Sequence, residues 1–146
     1  MKLKNFLVVI LALISVNAFA QFNVSAVVGY GIRINNNLEY DLFQSSVSVE
    51  PQYDFGKFKL SAVALSINDS TAEFYTGIKP SYQVYESGNH LFDLSVSALQ
   101  GLEGKQLLGG GITYGYMNMY VSADAYNEFQ NKQFIGNLSV GYYFLR

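Results

Sequence analysis

Phe92-Asp93-Leu94-Ser95-Val96-Ser97-Ala98 alternates without a break between apolar and small polar or acidic residues. Successive side chains of a strand point to opposite faces, so Phe92, Leu94, Val96 and Ala98 share one side and Asp93, Ser95 and Ser97 the other. The same beat recurs about eight times after residue 21. Aromatics gather at the ends of each apolar row, and Val, Ala, Leu and Ile fill the middle. A strand reads this way when one face meets lipid and the other a polar lumen.

Working outward in both directions, the apolar rows are Phe22 to Ile34 (even numbers), Phe43 to Phe55, Phe58 to Ala64, Phe74 to Val84, Leu108 to Tyr116, Met119 to Phe129 and Phe134 to Phe144. Turn chemistry separates them: Gly56, Asn68-Asp69-Ser70, Glu86-Ser87-Gly88-Asn89 and Asn118. Longer connections fall at 35–42, 100–106 and 127–132. The pattern blurs at Val63, Leu65 and Ile67, where a bulge that shifts parity is expected. Pro51 and Pro80 stand inside strands, where a closed ladder misses their N–H groups; a bulge or a strand ending is expected at each.

Residues 1–20 read as a signal peptide. Lys2 and Lys4 precede the apolar run Phe6 to Val16, and Ala18-Phe19-Ala20 is a small-residue cleavage site, so the mature domain is expected to span 21–146. Without Lys2 and Lys4, seven basic residues face eleven acidic ones, a net charge of −4. Such a chain has no basic face for nucleic acid. Only 14% of residues are charged, too few to cover a soluble secreted domain of average composition. The absence of cysteine excludes a disulfide framework and a thiolate metal site. No later segment is apolar for long enough to span a membrane as a helix, so a membrane-embedded mature chain has to be a closed barrel.

Volume decides which face points in. Eight strands enclose an interior just wide enough for side chains. The apolar faces carry most of the Phe and would overfill it, whereas the Gly- and Ser-rich faces suit it. With both termini at the periplasmic end, Phe22, Tyr53, Phe55, Phe58, Tyr82, Phe92, Tyr116, Tyr142 and Phe144 form one interfacial belt. Phe43, Phe74, Phe129 and Phe134 form the other. The alternative is a soluble exported barrel with its apolar face inward, holding an apolar ligand.

Together with the leader and the strand count, the closing stretch Asn137-Leu138-Ser139-Val140-Gly141-Tyr142-Tyr143-Phe144 resembles that of small outer-membrane β-barrels of the OmpX and OmpA-domain type. Leu145 and Arg146 extend beyond the terminal aromatic, a departure from that pattern. The resemblance covers 21–146 and implies an all-β, eight-stranded, antiparallel up-and-down transmembrane barrel. It implies residence in the bacterial outer membrane, contact with outer-membrane lipid, and insertion by the barrel-assembly machinery.

The inward rows carry Arg33, Glu50, Asp54, Lys57, Lys59, Glu73, Lys79, Asp93 and Asp124. Both signs occur, and in a narrow lumen they have to pair, because an unpaired buried charge is very unfavourable. A salt-bridge network that plugs the bore is the favoured reading, and a narrow pore the alternative. The inward glycines Gly29, Gly31, Gly77, Gly109, Gly111, Gly115 and Gly141 precede no helix and so cradle no phosphate. They leave room for inward tyrosines such as Tyr75, Tyr120, Tyr126 and Tyr143. His90 is the only histidine. It adjoins the Glu86–Asn89 turn and has no serine partner, which argues against lipid-modifying catalysis. A single His and no Cys cannot build a transition-metal site without carboxylates, and no cofactor is expected. What remains is a structural role, or contact with an envelope or surface protein through 35–42, 68–71, 100–106 and 127–132.

Overall fold

The computed structural model describes residues 22–69 and 71–144, with Phe43 and Gln44 described by their backbone alone. The leader expected at 1–20 lies outside the described residues. Eight strands follow one another: β1 (Phe22–Ile34), β2 (Tyr40–Phe55), β3 (Phe58–Asn68), β4 (Ala72–Ser87), β5 (His90–Gly101), β6 (Gln106–Tyr116), β7 (Met119–Glu128) and β8 (Gln133–Tyr143). Each pairs antiparallel with its neighbour in sequence, and β8 returns to β1, so the sheet closes into an up-and-down barrel.

The two ends differ. At one end, which also carries Phe22 and Phe144, two-residue turns join the strands: Gly56–Lys57, Gly88–Asn89 and Met117–Asn118. The first residue of each has positive φ, 71° at Gly56, 57° at Gly88 and 54° at Met117, the sign that tight hairpins require. The other end carries the loops 35–39, 69–71, 102–105 and 129–132. These are shorter than the sequence suggested. Tyr40, Asp41 and Leu42 belong to β2, Gln100 and Gly101 to β5, Gln106 to β6, and Asn127 and Glu128 to β7.

Alternation is uninterrupted through β3, so the expected bulge there is absent. Val63, Leu65 and Ile67 simply point inward and are buried, while Ala62 and Ala64 face out. The parity changes fall elsewhere. Between Gly29↔Ser46 and Gly31↔Phe43, β2 advances one residue more than β1. Between Gln83↔Asp93 and Tyr85↔Phe92, β4 holds the extra residue, Val84. Neither proline causes a bulge or ends its strand. The ladder leaves a gap beside each and resumes in the same register.

The outer wall is apolar: Val28, Val47, Val49, Ile78, Val96, Ile112, Leu138 and Val140 are all exposed. Inside, the barrel is filled. Val63, Leu65, Ile67, Tyr75, Leu99, Leu107, Tyr126 and Ile135 form one buried apolar cluster in the loop-end half. Tyr120 and Tyr143, with ring centroids 4.7 Å apart, pack with Val27 nearer the turns. Glycines opposite the inward tyrosines make this filling possible. Gly141 is the direct cross-strand partner of Tyr120, and Gly109 that of Tyr126. A Cβ at either glycine would collide with the tyrosine ring.

Candidate functional site

The bore is a stack of layers, each built by inward positions of several strands. At the turn end Asn23, Gln52, Asp54, Lys57, Gln83 and Glu86 wall a cavity of about 420 Å³. Gln52 Nε2 donates to Asp54 at 2.5 Å and Gln83 Nε2 to Glu86 at 2.6 Å. At its floor Lys59 Nζ donates to Asp93 Oδ2 at 2.6 Å, and both side chains are buried. A separation this short between buried groups makes the pair charge-assisted and weakly screened by water.

The next layer centres on Lys79. Its Nζ lies 3.6 Å from Glu50 Oε2 and 3.5 Å from Asp124 Oδ1. Hydroxyls bond the same carboxylates. Ser48 donates to Glu50 at 3.0 Å, Ser122 donates to Asp124 at 3.1 Å, and the Ser122 and Ser139 hydroxyls are 2.6 Å apart. Tyr120 donates its O–H to Ser25 at 3.0 Å. Above this layer sits the apolar cluster, which fills the bore with side chains.

The loop-end layer seals the top. Arg33 Nη2 donates to Glu73 Oε2 at 2.6 Å, and Tyr75 O–H donates to the same oxygen at 3.0 Å. Lys105 Nζ donates to Glu73 Oε1. That hydrogen bond raises the Lys105 pKa above the ordinary lysine range, against the opposing effect of desolvation; the Glu73, Glu128 and Glu103 charges add to it. Glu128 is fully buried and accepts a hydrogen bond from Asn131 Nδ2 at 2.5 Å.

The structure thus brings the inward charges named from sequence into separate groups: Lys59 with Asp93, Lys79 with Glu50 and Asp124, and Arg33 with Glu73. Asp54 bonds Gln52, and Lys57 is exposed at the mouth of the cavity. Lys105 and Glu128 went unrecognised because their segments read as loops. For Glu128 the signal was present: Tyr120, Ser122, Asp124 and Tyr126 set an even-numbered inward row that reaches it. For Lys105 there was none, since its partner Glu73 is 32 residues away. Among the described residues no group of three or more His, Asp or Glu side chains is placed to hold a metal ion.

On the outer wall, Phe22 pairs with Tyr53 and Phe55 with Phe58 across the strands at the turn end. Ring centroids there are 4.6 Å apart for Tyr53–Phe55, 4.9 Å for Phe58–Tyr82 and 5.5 Å for Tyr142–Phe144. Phe92 and Tyr116 complete this set, to which His90 belongs: its Nδ1 is 2.7 Å from the Tyr114 hydroxyl and its ring 5.0 Å from that of Tyr116. Phe74, Phe129 and Phe134 are exposed at the loop end. The side chain of Phe43 lies outside the described residues.

The fold is therefore an all-β, closed, eight-stranded antiparallel barrel with an apolar outer wall and a side-chain-filled bore. No family model matches the chain, and no curated protein does. Among solved structures the chain is similar to Neisserial surface protein A, with a TM-score of 0.63 at 14% identity over 86% of this chain and 97% of that one. It is similar to Ail, the attachment invasion locus protein of Yersinia pestis, with a TM-score of 0.56 at 12% identity over 85% of this chain and 98% of the other. The N-terminal β-barrel domain of Pseudomonas aeruginosa OprF gives 0.52 at 13% identity, over 82% and 97%. At these identities the likeness is one of fold.

Proposed function

We propose that this chain is a non-enzymatic bacterial outer-membrane barrel, exported through the leader at 1–20, with a structural or surface-interaction role and a non-conducting bore. One observation carries the reading: the barrel is inverted in polarity, with Val, Leu and Ile exposed around its wall and charged and serine side chains buried within. Water does not favour that arrangement, whereas hydrocarbon does when the backbone is paired around a closed sheet. The turn end then faces the periplasm, and the two aromatic sets meet the headgroup regions. Outer-membrane lipid surrounds the wall, the assembly machinery inserts the chain, and loops of at most five residues are offered to an envelope or surface partner.

The test is fractionation of cells expressing the chain, followed by electrophoresis of heated and unheated samples and planar-bilayer recording. Outer-membrane recovery, a heat-dependent mobility shift and a silent bilayer are expected. Discrete conductance steps would replace the sealed bore with a narrow pore. A monodisperse product in detergent-free buffer would overturn the membrane assignment and favour a soluble exported barrel.

A further inference from the structure

The turn-end cavity grades from exposed to buried. Gly56, Lys57 and Glu86 on its walls are exposed, whereas Asn23, Leu91 and Tyr143 are buried. The Lys59–Asp93 pair, at 2.6 Å, closes the floor. At about 420 Å³ the space has the size of a small-molecule site.

Its acids are held differently from those deeper in the bore. Glu50, Glu73, Asp93 and Asp124 each have an ammonium or guanidinium partner. Asp54 and Glu86 each take a hydrogen bond from a glutamine amide, Gln52 and Gln83, and among the described residues neither is in an ion pair. Lys57, at the mouth, is in no ion pair either. With Lys59 and Asp93 cancelling each other, two carboxylates face one ammonium, and the cavity keeps one negative charge in excess. Asn23, on the same wall, is 5% exposed, and its Oδ1 has no hydrogen-bond partner. A buried acceptor without a donor is unfavourable, and an N–H-bearing occupant would supply that donor. Leu91 and the Tyr143 ring add an apolar strip beside the carboxylates. A bare metal ion has no use for such a strip, but a carbon skeleton does.

We propose that the turn-end cavity binds a small organic cation, a primary ammonium or guanidinium on a short carbon skeleton. Its N–H groups meet Asp54, Glu86 and Asn23, and its carbon chain lies against Leu91 and Tyr143. On the membrane reading above, the mouth opens to the periplasm and the ligand is a periplasmic solute. The chemistry of the site does not depend on that reading, and binding to the folded barrel tests it separately from recovery of the chain in the outer membrane.

The test is methyl NMR of the leucine-labelled barrel in phosphatidylcholine nanodiscs, whose headgroup carries no N–H to compete. The probe is n-butylamine, a cation at neutral pH; n-butanol and butyrate keep a similar skeleton without the positive charge. A saturable shift of the Leu91 methyls, assigned through Leu91→Met, is expected with the amine. Butanol is expected to bind about tenfold more weakly, the difference made by one hydrogen bond to a charged group, and butyrate more weakly still. Asp54→Asn, which keeps the shape and an acceptor for Gln52, should weaken the amine by about tenfold. Lys57→Gln removes a repelling charge and should tighten it by about two- to fivefold. Each variant is first shown to keep the heat-dependent gel shift; should Asp54→Asn fail to fold, Glu86→Gln at the exposed rim reads the same charge. The absence of a saturable shift, or butanol binding as well as the amine, overturns the proposal. So does an amine affinity that is unchanged in Asp54→Asn or lowered in Lys57→Gln.

Discussion

Replacing Lys59 by Met removes the ammonium that neutralises Asp93 at the floor of the turn-end cavity. Asp93 is 4% exposed, its Oδ2 loses the 2.6 Å bond to Lys59, and its Oδ1 already has no hydrogen-bond partner. Stranding a buried charge in this way is destabilising by about 3–5 kcal/mol, roughly a hundredfold to a few thousandfold in the folding equilibrium. Removing both charges in Lys59→Met/Asp93→Leu takes away the desolvation of both ions as well, so the double variant is expected within about 1 kcal/mol of the parent, or above it. Urea unfolding in lipid vesicles, followed by loss of the heat-dependent gel shift and by tyrosine fluorescence, reads both variants. If Lys59→Met lies within about 1 kcal/mol of the parent, water reaches Asp93 through the cavity and the buried-pair argument fails. A double variant weaker than Lys59→Met would show that the pair organises its neighbours, and would equally refute the reasoning.

The other expectations follow from single contacts. Gly141→Ala drives a methyl into the Tyr120 ring, forcing the ring from its bond to Ser25; overpacking and the lost hydrogen bond together destabilise by about 2–4 kcal/mol, seen as a lower urea midpoint that Gly141→Ala/Tyr120→Leu partly recovers. Met117→Gly relieves a side chain held at φ 54° and is expected to stabilise by about 1 kcal/mol, measured in the same way. Lys105 titrates above the ordinary lysine range in the folded barrel, so its contribution is whole below that range and disappears as pH rises through the raised value. The stability gap between the parent and Lys105→Met should therefore close as pH rises on the alkaline side; a gap that widens there would reverse the assignment.

Much of the barrel can be read from residue order because a strand's side chains alternate with a fixed period of two. Phe92 to Ala98 and Met119 to Tyr126 state their own faces, and a closed sheet of eight such strands leaves little choice about which face fits inside. The inward charges were legible for the same reason, since Arg33, Glu50, Lys59, Lys79, Asp93 and Asp124 all keep the polar beat. Val63, Leu65 and Ile67 were not. An apolar residue on an inward position looks like broken alternation until Tyr75, Leu99, Leu107, Tyr126 and Ile135 arrive from other strands to bury it. Parity is local, whereas the composition of a layer is set by shear between strands that are distant in sequence. The same holds for pairing: sequence shows that Lys79 must be neutralised, but only the register brings it between Glu50 and Asp124. It also decides how a proline is absorbed. The chain announces that an N–H is missing at Pro80, and the closed barrel, held in register on both sides of that point, leaves a break in the ladder instead of a bend in the strand.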